Sequence, residues 1–168
     1  MRRPHTFLNT ILGVVIAAGC SSESTGPTEP GMSPAFGLAN LTIARCPSPS
    51  QANVSAKIGS AGGTLVIGSH SLVIPPGALS KDVVITAKTG GSAGNAIEFG
   101  PAGLRFNTYA RLNVSVANCT GWGLLRLPMI VFTDDLLKIL ELEPSVLDNR
   151  NKIVVGWIWH FSRYAVAY

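Results

Sequence analysis

The 168 residues include 13% charged side chains, 18 glycines and 11 prolines, a composition that suits one all-β domain with many turns plus appendages and excludes a helical bundle. The formal charge of +4 comes from 13 Lys and Arg against 9 Asp and Glu, and falls to +2 once Arg2 and Arg3, in a segment expected to be removed, are set aside. No Lys/Arg cluster and no basic-aromatic stripe then remains, so no nucleic-acid partner is expected.

Residues 1–19 read as a targeting segment: Arg2 and Arg3 form a basic start, and Phe7 to Ala18 is apolar but too short to span a bilayer. Ala17-Ala18-Gly19-Cys20 places small residues directly before a cysteine. This resembles the bacterial lipobox, which implies cleavage before Cys20 and acyl chains, palmitate among them, on that residue. Several chains on one residue anchor stably where a single chain binds only marginally. Ser21 and Ser22 follow, with no aspartate at the second mature position. By resemblance to Gram-negative sorting, that implies the outer membrane if the source has two membranes. From Cys20 to residue 50, Ser, Thr, Gly, Pro and Glu dominate, too polar a stretch to offset its ordering entropy, so a flexible tether is expected. Within it, Leu41 to Ala44 suits a first edge strand, stopped by Pro47 and Pro49.

Residues 51–168 read as the folded domain. Short β-favouring runs are expected at 54–58, 64–67, 72–74, 82–88, 96–99, 104–106, 111–116, 124–127, 129–132, 139–142, 153–159 and 163–167, with turn chemistry between them. Leu112, Val114 and Val116 alternate with Arg111, Asn113 and Ser115, the period of a half-buried strand. Pro75 and Pro76 interrupt any ladder, and Pro76-Gly77 suits the central pair of a type II turn. Gly68 to Ser71 and Leu147 to Asn151 read as turns, Asp134-Asp135 as a turn or a single helical turn, and Leu136 to Leu142 as strand with an ambiguous, helix-compatible start. The sum is an antiparallel β-sandwich. With Cys20 assigned to the anchor, Cys46 and Cys119 are left as a pair in an oxidising compartment. They either bridge, closing a loop of about 73 residues worth about 4 kcal/mol in chain entropy, or stay two buried thiols.

Four blocks in order carry a family resemblance: Gly62-Gly63-Thr64-Leu65, then Leu72-Val73-Ile74-Pro75-Pro76-Gly77-Ala78-Leu79, then Gly100-Pro101-Ala102-Gly103-Leu104-Arg105-Phe106, then Arg111-Leu112-Asn113-Val114. These resemble the ZU5 domain of ankyrins, netrin receptors and tight-junction scaffolds. The ending His160-Phe161-Ser162-Arg163-Tyr164-Ala165-Val166-Ala167 is similar to the last strand of bacterial ZU5-like domains. The resemblance covers roughly 55–168 and implies a β-sandwich used as a protein-interaction or structural module. The animal domains' partners do not carry over to a chain without their companion domains.

In some ZU5-related domains of the inflammasome-sensor type, a Phe–Ser bond within such a His-Phe-Ser tripeptide cuts itself. The resemblance implies Ser162 as nucleophile, the Phe161 carbonyl as target and His160 beside them, with a further histidine assisting. The one other histidine of the mature chain is His70. Such chemistry needs a strained peptide, a base and oxyanion donors. The plainer reading puts Phe161 in the core with His160 and Ser162 facing out or capping the strand. Gly90-Gly91-Ser92-Ala93-Gly94 matches G-x-S-x-G, with Asp148 and His160 following, but residues 95–99 read as strand where a nucleophile elbow needs a helix. Asp134-Asp135 suits a solvated turn before a calcium site, and no His or Cys pair has zinc spacing, so neither metal nor cofactor is expected. Trp157 and Trp159, two apart, share one strand face. They either pack in the core or, with Trp122, form a stacking platform for carbohydrate.

The expected protein is thus a lipid-anchored, non-enzymatic component of the cell envelope. It touches membrane through Cys20 and an envelope protein partner through its ZU5-like module. Self-cleavage at Phe161–Ser162 and carbohydrate binding through Trp157 and Trp159 stand as alternatives.

Overall fold

The computed structural model describes residues 38, 40–47, 51–90, 95–120 and 126–168. Cys20 with the whole targeting segment, most of the tether, Ser92 and Trp122 lie outside the described residues. Among the described residues there are eleven strands: β1 (Asn53–Ile58), β2 (Gly63–Ile67), β3 (His70–Ile74), β4 (Val83–Thr89), β5 (Ile97–Gly100), β6 (Arg105–Ser115), β7 (Met129–Thr133), β8 (Ile139–Leu142), β9 (Ser145–Asp148), β10 (Ile153–His160) and β11 (Arg163–Ala167); residues 126–127, the described part of the run expected at 124–127, are not strand. They form a six-stranded sheet, β1-β4-β5-β11-β7-β8, and a five-stranded sheet, β2-β3-β6-β10-β9. Every pairing between neighbouring strands is antiparallel. The two inner faces share one core, with Ile85, Ile97, Phe99, Ile130 and Val166 from one sheet meeting Ile67, Leu72, Leu112, Val154 and Ile158 from the other. This is the all-β sandwich that the strand spacing predicts.

The proline corner follows from backbone chemistry. Ala78 N–H donates to the Pro75 carbonyl at 3.2 Å, and Gly77 sits at φ +80°. That is a type II turn with proline presetting φ at its second position and glycine taking the left-handed third. The corner is then tied sideways, because Asn107 N–H donates to the Ala78 carbonyl at 2.9 Å and Asn107 Nδ2 to the Gly77 carbonyl at 3.2 Å.

Several expectations need correction. The runs at 104–106 and 111–116 belong to one strand, β6, because Asn107 to Tyr109 bulge outward and keep the chain extended between them; Ile158 pairs with Ala110, but His160 pairs with Arg105. The hairpin loop after β2 is Gly68-Ser69 alone, since His70 and Ser71 pair with Ile67 and Val66. Ser145 to Asp148 form β9, an edge strand paired with β10, and the turn begins one residue later. The start of 136–142 is not helical: the Asp134 side chain accepts N–H groups from Leu136 (2.9 Å) and Lys138 (2.8 Å), closing an Asx turn that leads into β8. Residues 41–44 pair with β11 through isolated bridging contacts, with Thr42 N–H donating to the Tyr168 carbonyl and Ala44 N–H to the Val166 carbonyl. This segment takes the side of β11 that β5 leaves after pairing Arg163 and Tyr164. Leu41 and Ile43 pack against a second apolar cluster of Ala96, Val131, Ala165 and Ala167, so β11 is buried on both faces. A Cys46–Cys119 disulfide ties the segment to the turn that follows β6, deciding between the two readings of that cysteine pair.

Candidate functional site at the end of the tenth strand

β10 ends at His160 in one sheet and β11 starts at Arg163 in the other, so Phe161-Ser162 carries the chain across the sandwich. An apolar side chain at such a crossing falls between the layers. Phe161 is 1% exposed, stacked on Phe99 at 5.1 Å and edge-on to Phe106 at 5.0 Å. Its N–H donates to the Leu104 carbonyl (2.7 Å) and its carbonyl accepts the Gly103 N–H (3.0 Å). Neither Phe161 nor Ser162 has a positive φ, so the backbone carries no left-handed strain at that bond. His70 lies on β3, where its Nδ1 accepts the Ser115 N–H at 3.0 Å, and burial holds its pKa below the ordinary value. Ser115 pairs with Ile153 at the opposite end of β10 from His160, a separation of about 23 Å along extended strand. His70 is therefore not brought to Ser162. Asp148 also pairs with Ile153, so Asp148 and His160 are not brought together either.

His160 meets another set of groups. Tyr164 pairs with Phe132, and Phe132 with Glu141, so the three side chains form one row on the same face across β11, β7 and β8. His160 comes down on this row from the other sheet, its ring edge-on to Phe132 at 5.2 Å. The Tyr164 hydroxyl donates to the His160 carbonyl at 2.6 Å and lies 3.3 Å from His160 Nδ1. A phenol has one proton, here committed to the carbonyl, so Nδ1–H is the donor in the second contact, which leaves Nε2 as the ring nitrogen able to ligate. Glu143 follows β8 with its N–H on the Ile130 carbonyl at 3.0 Å and its own carbonyl accepting the Ser145 hydroxyl at 2.6 Å. Its side chain is turned inward: the residue is 5% exposed, and Oε1 has no hydrogen-bond partner. Burial, with the nearby Glu141 charge adding to it, pushes the Glu143 carboxyl up to about 7. Burial and then the Glu143 and Glu141 charges push the Tyr164 hydroxyl up as well. Ligating atoms of Glu141, Glu143 and His160 all lie within 4.8 Å of one another. Among the described residues, the ion pairs of Lys57 and Arg163 go to other acids.

The sequence reading missed this cluster. Glu141 and Glu143 are two apart, the same-face spacing on an extended chain, but His160 joins them through sheet order alone. The acidic pair that the sequence does display, Asp134-Asp135, serves the Asx turn and an ion pair from Asp135 to Arg163 at 3.3 Å.

One step back along β10 lies an aromatic surface. Val154, Gly156 and Ile158 point inward, while Trp157 and Trp159 are 37% and 43% exposed on the outer face of the five-stranded sheet. The core-packing reading of these tryptophans is corrected. Arg105 lies with its guanidinium 4.7 Å from the Trp159 ring centroid, a cation–π contact. Trp157 pairs with Arg111, which pairs with Val73, and Tyr109 is exposed on the same strand as Arg105 and Arg111. No protein-family model and no curated protein matches the chain.

Proposed function

We propose that the chain is a lipid-anchored protein of the cell envelope whose ZU5-like β-sandwich is a non-enzymatic module for binding another envelope protein. The observation that carries this reading is the outer face of the five-stranded sheet, where Trp157 and Trp159 stay half-exposed beside Arg105, Arg111 and Tyr109. Trp, Tyr and Arg are the residue types that dominate the energetics of protein interfaces, because they bring large area at low rotamer cost and a polar tip. The lipobox-like Ala17-Ala18-Gly19-Cys20 supports the anchor, and the ordered Ile-Pro-Pro-Gly-Ala and Gly-Pro-x-Gly-Leu-x-Phe blocks support the family.

The test is capture from detergent-solubilised envelope, comparing the wild-type chain with the Trp157→Ala, Trp159→Ala double variant. A partner retained by the first should be lost from the second, since removing two interface anchors typically costs 2 kcal/mol or more each, roughly thirtyfold in affinity. Equal capture by both would remove the surface from the account. The same exposed pair favours carbohydrate stacking as a second reading. Saturable quenching of tryptophan emission by glycan fragments, lost in the same variant, would favour sugar over protein.

A further inference from the structure

We propose that Glu141, Glu143 and His160 form a binding site for a divalent transition cation of the zinc class. Three features of the structure carry this. First, the three side chains come from the β8 region and the end of β10, and their ligating atoms already lie within 4.8 Å of one another. A cation at about 2.0–2.2 Å from nitrogen and oxygen ligands draws such atoms to roughly 3.4 Å apart. Glu141 is exposed and its side chain can make that adjustment. Second, Glu143 is buried to 5% exposure, its carboxylate reaches the cluster, and its Oε1 has no hydrogen-bond partner. An unpartnered buried carboxylate oxygen is costly, and no Lys or Arg among the described residues pairs with it. A dication satisfies the oxygen and offsets the repulsion between the two glutamates. Third, the Tyr164 hydroxyl fixes the imidazole tautomer. Its proton goes to the His160 carbonyl at 2.6 Å, so Nδ1–H points to the phenol oxygen and Nε2 is the nitrogen left able to ligate. A ligating histidine held by a hydrogen bond from its other nitrogen is the usual arrangement around protein-bound metals.

The donor set also selects the metal. One imidazole with two carboxylates suits zinc and its neighbours in the first transition row, whereas calcium and magnesium prefer all-oxygen sites. Cys46 and Cys119 are joined to each other and supply no thiolate. Three protein ligands leave a coordination position for water or for a group from a partner.

To test this, the full chain is purified in detergent, stripped with EDTA, desalted and titrated with zinc against a chromophoric chelator. One zinc per chain should bind, and zinc should raise the melting temperature. Loss of an outer-shell partner alone commonly weakens metal affinity about 10- to 100-fold. Glu143→Gln and His160→Gln, which remove ligands, should each weaken binding at least that much and abolish the zinc-dependent rise in melting temperature. Asp82→Asn, whose wild-type partner is Lys57, should leave both unchanged. Zinc-edge absorption should show nitrogen and oxygen neighbours at about 2.0–2.1 Å and no sulfur. If Glu143→Gln fails to fold by circular dichroism, Glu141→Gln at the exposed rim replaces it in the comparison. No saturable binding below millimolar zinc, binding undiminished in the ligand variants, or sulfur in the metal's shell would each overturn the assignment.

Discussion

Glu143 has a linkage consequence of its own. Its carboxyl is held near 7 against an ordinary 4.5, so between those values the folded state keeps a proton that the unfolded chain releases. The stabilisation is therefore complete below about pH 4.5 and is lost as pH rises through 7, by at most about 3 kcal/mol. His70 works in the opposite sense. Burial lowers its pKa from 6.5, so its contribution is complete above that value and is lost as pH falls below it. With EDTA present to keep the cluster free of cations, the wild-type urea midpoint should fall between pH 5 and pH 8 relative to that of Glu143→Gln, in which only the opposing His70 contribution remains. Glu143→Gln removes that titration while keeping the shape of the side chain, so its midpoint should rise toward pH 6.5 as His70 loses its proton in the unfolded chain and hold level above that. Parallel profiles for the two proteins would assign the slope to another group. Glu141, His160 and Tyr164 face Glu143.

The close approach of β10 and β7 turns on Gly156. A Cβ there would lie 2.6 Å from Ile130 Cδ1 and 3.3 Å from Ile130 Cβ, so the two sheets meet at that point with no room for a side chain. Gly156→Ala should destabilise the domain by about 1–3 kcal/mol, the usual cost of overpacking. Ile130→Val deletes the clashing Cδ1 and alone costs about 0.5–1.5 kcal/mol. The double variant should therefore lose less stability than the sum of the two single losses, measured by denaturant unfolding. Strict additivity would mean that the contact does not set the sheet spacing. The same glycine explains the placing of the tryptophans. Residues 153–159 are apolar at both parities, so alternation leaves their inward face undecided. Packing decides it: Gly156 sits against Ile130, which turns Val154 and Ile158 inward with it and sends Trp157 and Trp159 outward. β9 was unreadable for a different reason. Its four residues lie between Pro144 and a turn, and they are a strand because β10 offers an edge to pair with.

At the scale of the whole molecule, the disulfide closes a covalent loop with a sequence separation of 73 from Cys46 to Cys119. It holds the segment at 41–47 against β11, where Leu41 and Ile43 cover one face of the last strand. Replacing both cysteines by serine should cost about 2–5 kcal/mol, a fall in melting temperature of roughly 10 °C for a domain of this size. Far-UV circular dichroism at low temperature should keep its β signature, because the two sheets are hydrogen-bonded independently of the bridge. An unchanged melting temperature would show that the segment docks without its tie.

What the residues determined alone is local. The number and spacing of most strands, the type II corner at Pro76-Gly77 and the all-β class follow from φ restrictions and from alternation, which are properties of neighbours a few positions apart. Sheet order belongs to the folded chain. The side-by-side placing of β11, β7 and β8 lines up Tyr164, Phe132 and Glu141, and the crossing at Phe161-Ser162 sets His160 above them. No short window contains that meeting, because its members are contributed by strands whose adjacency arises only when two apolar faces close on each other and exclude water.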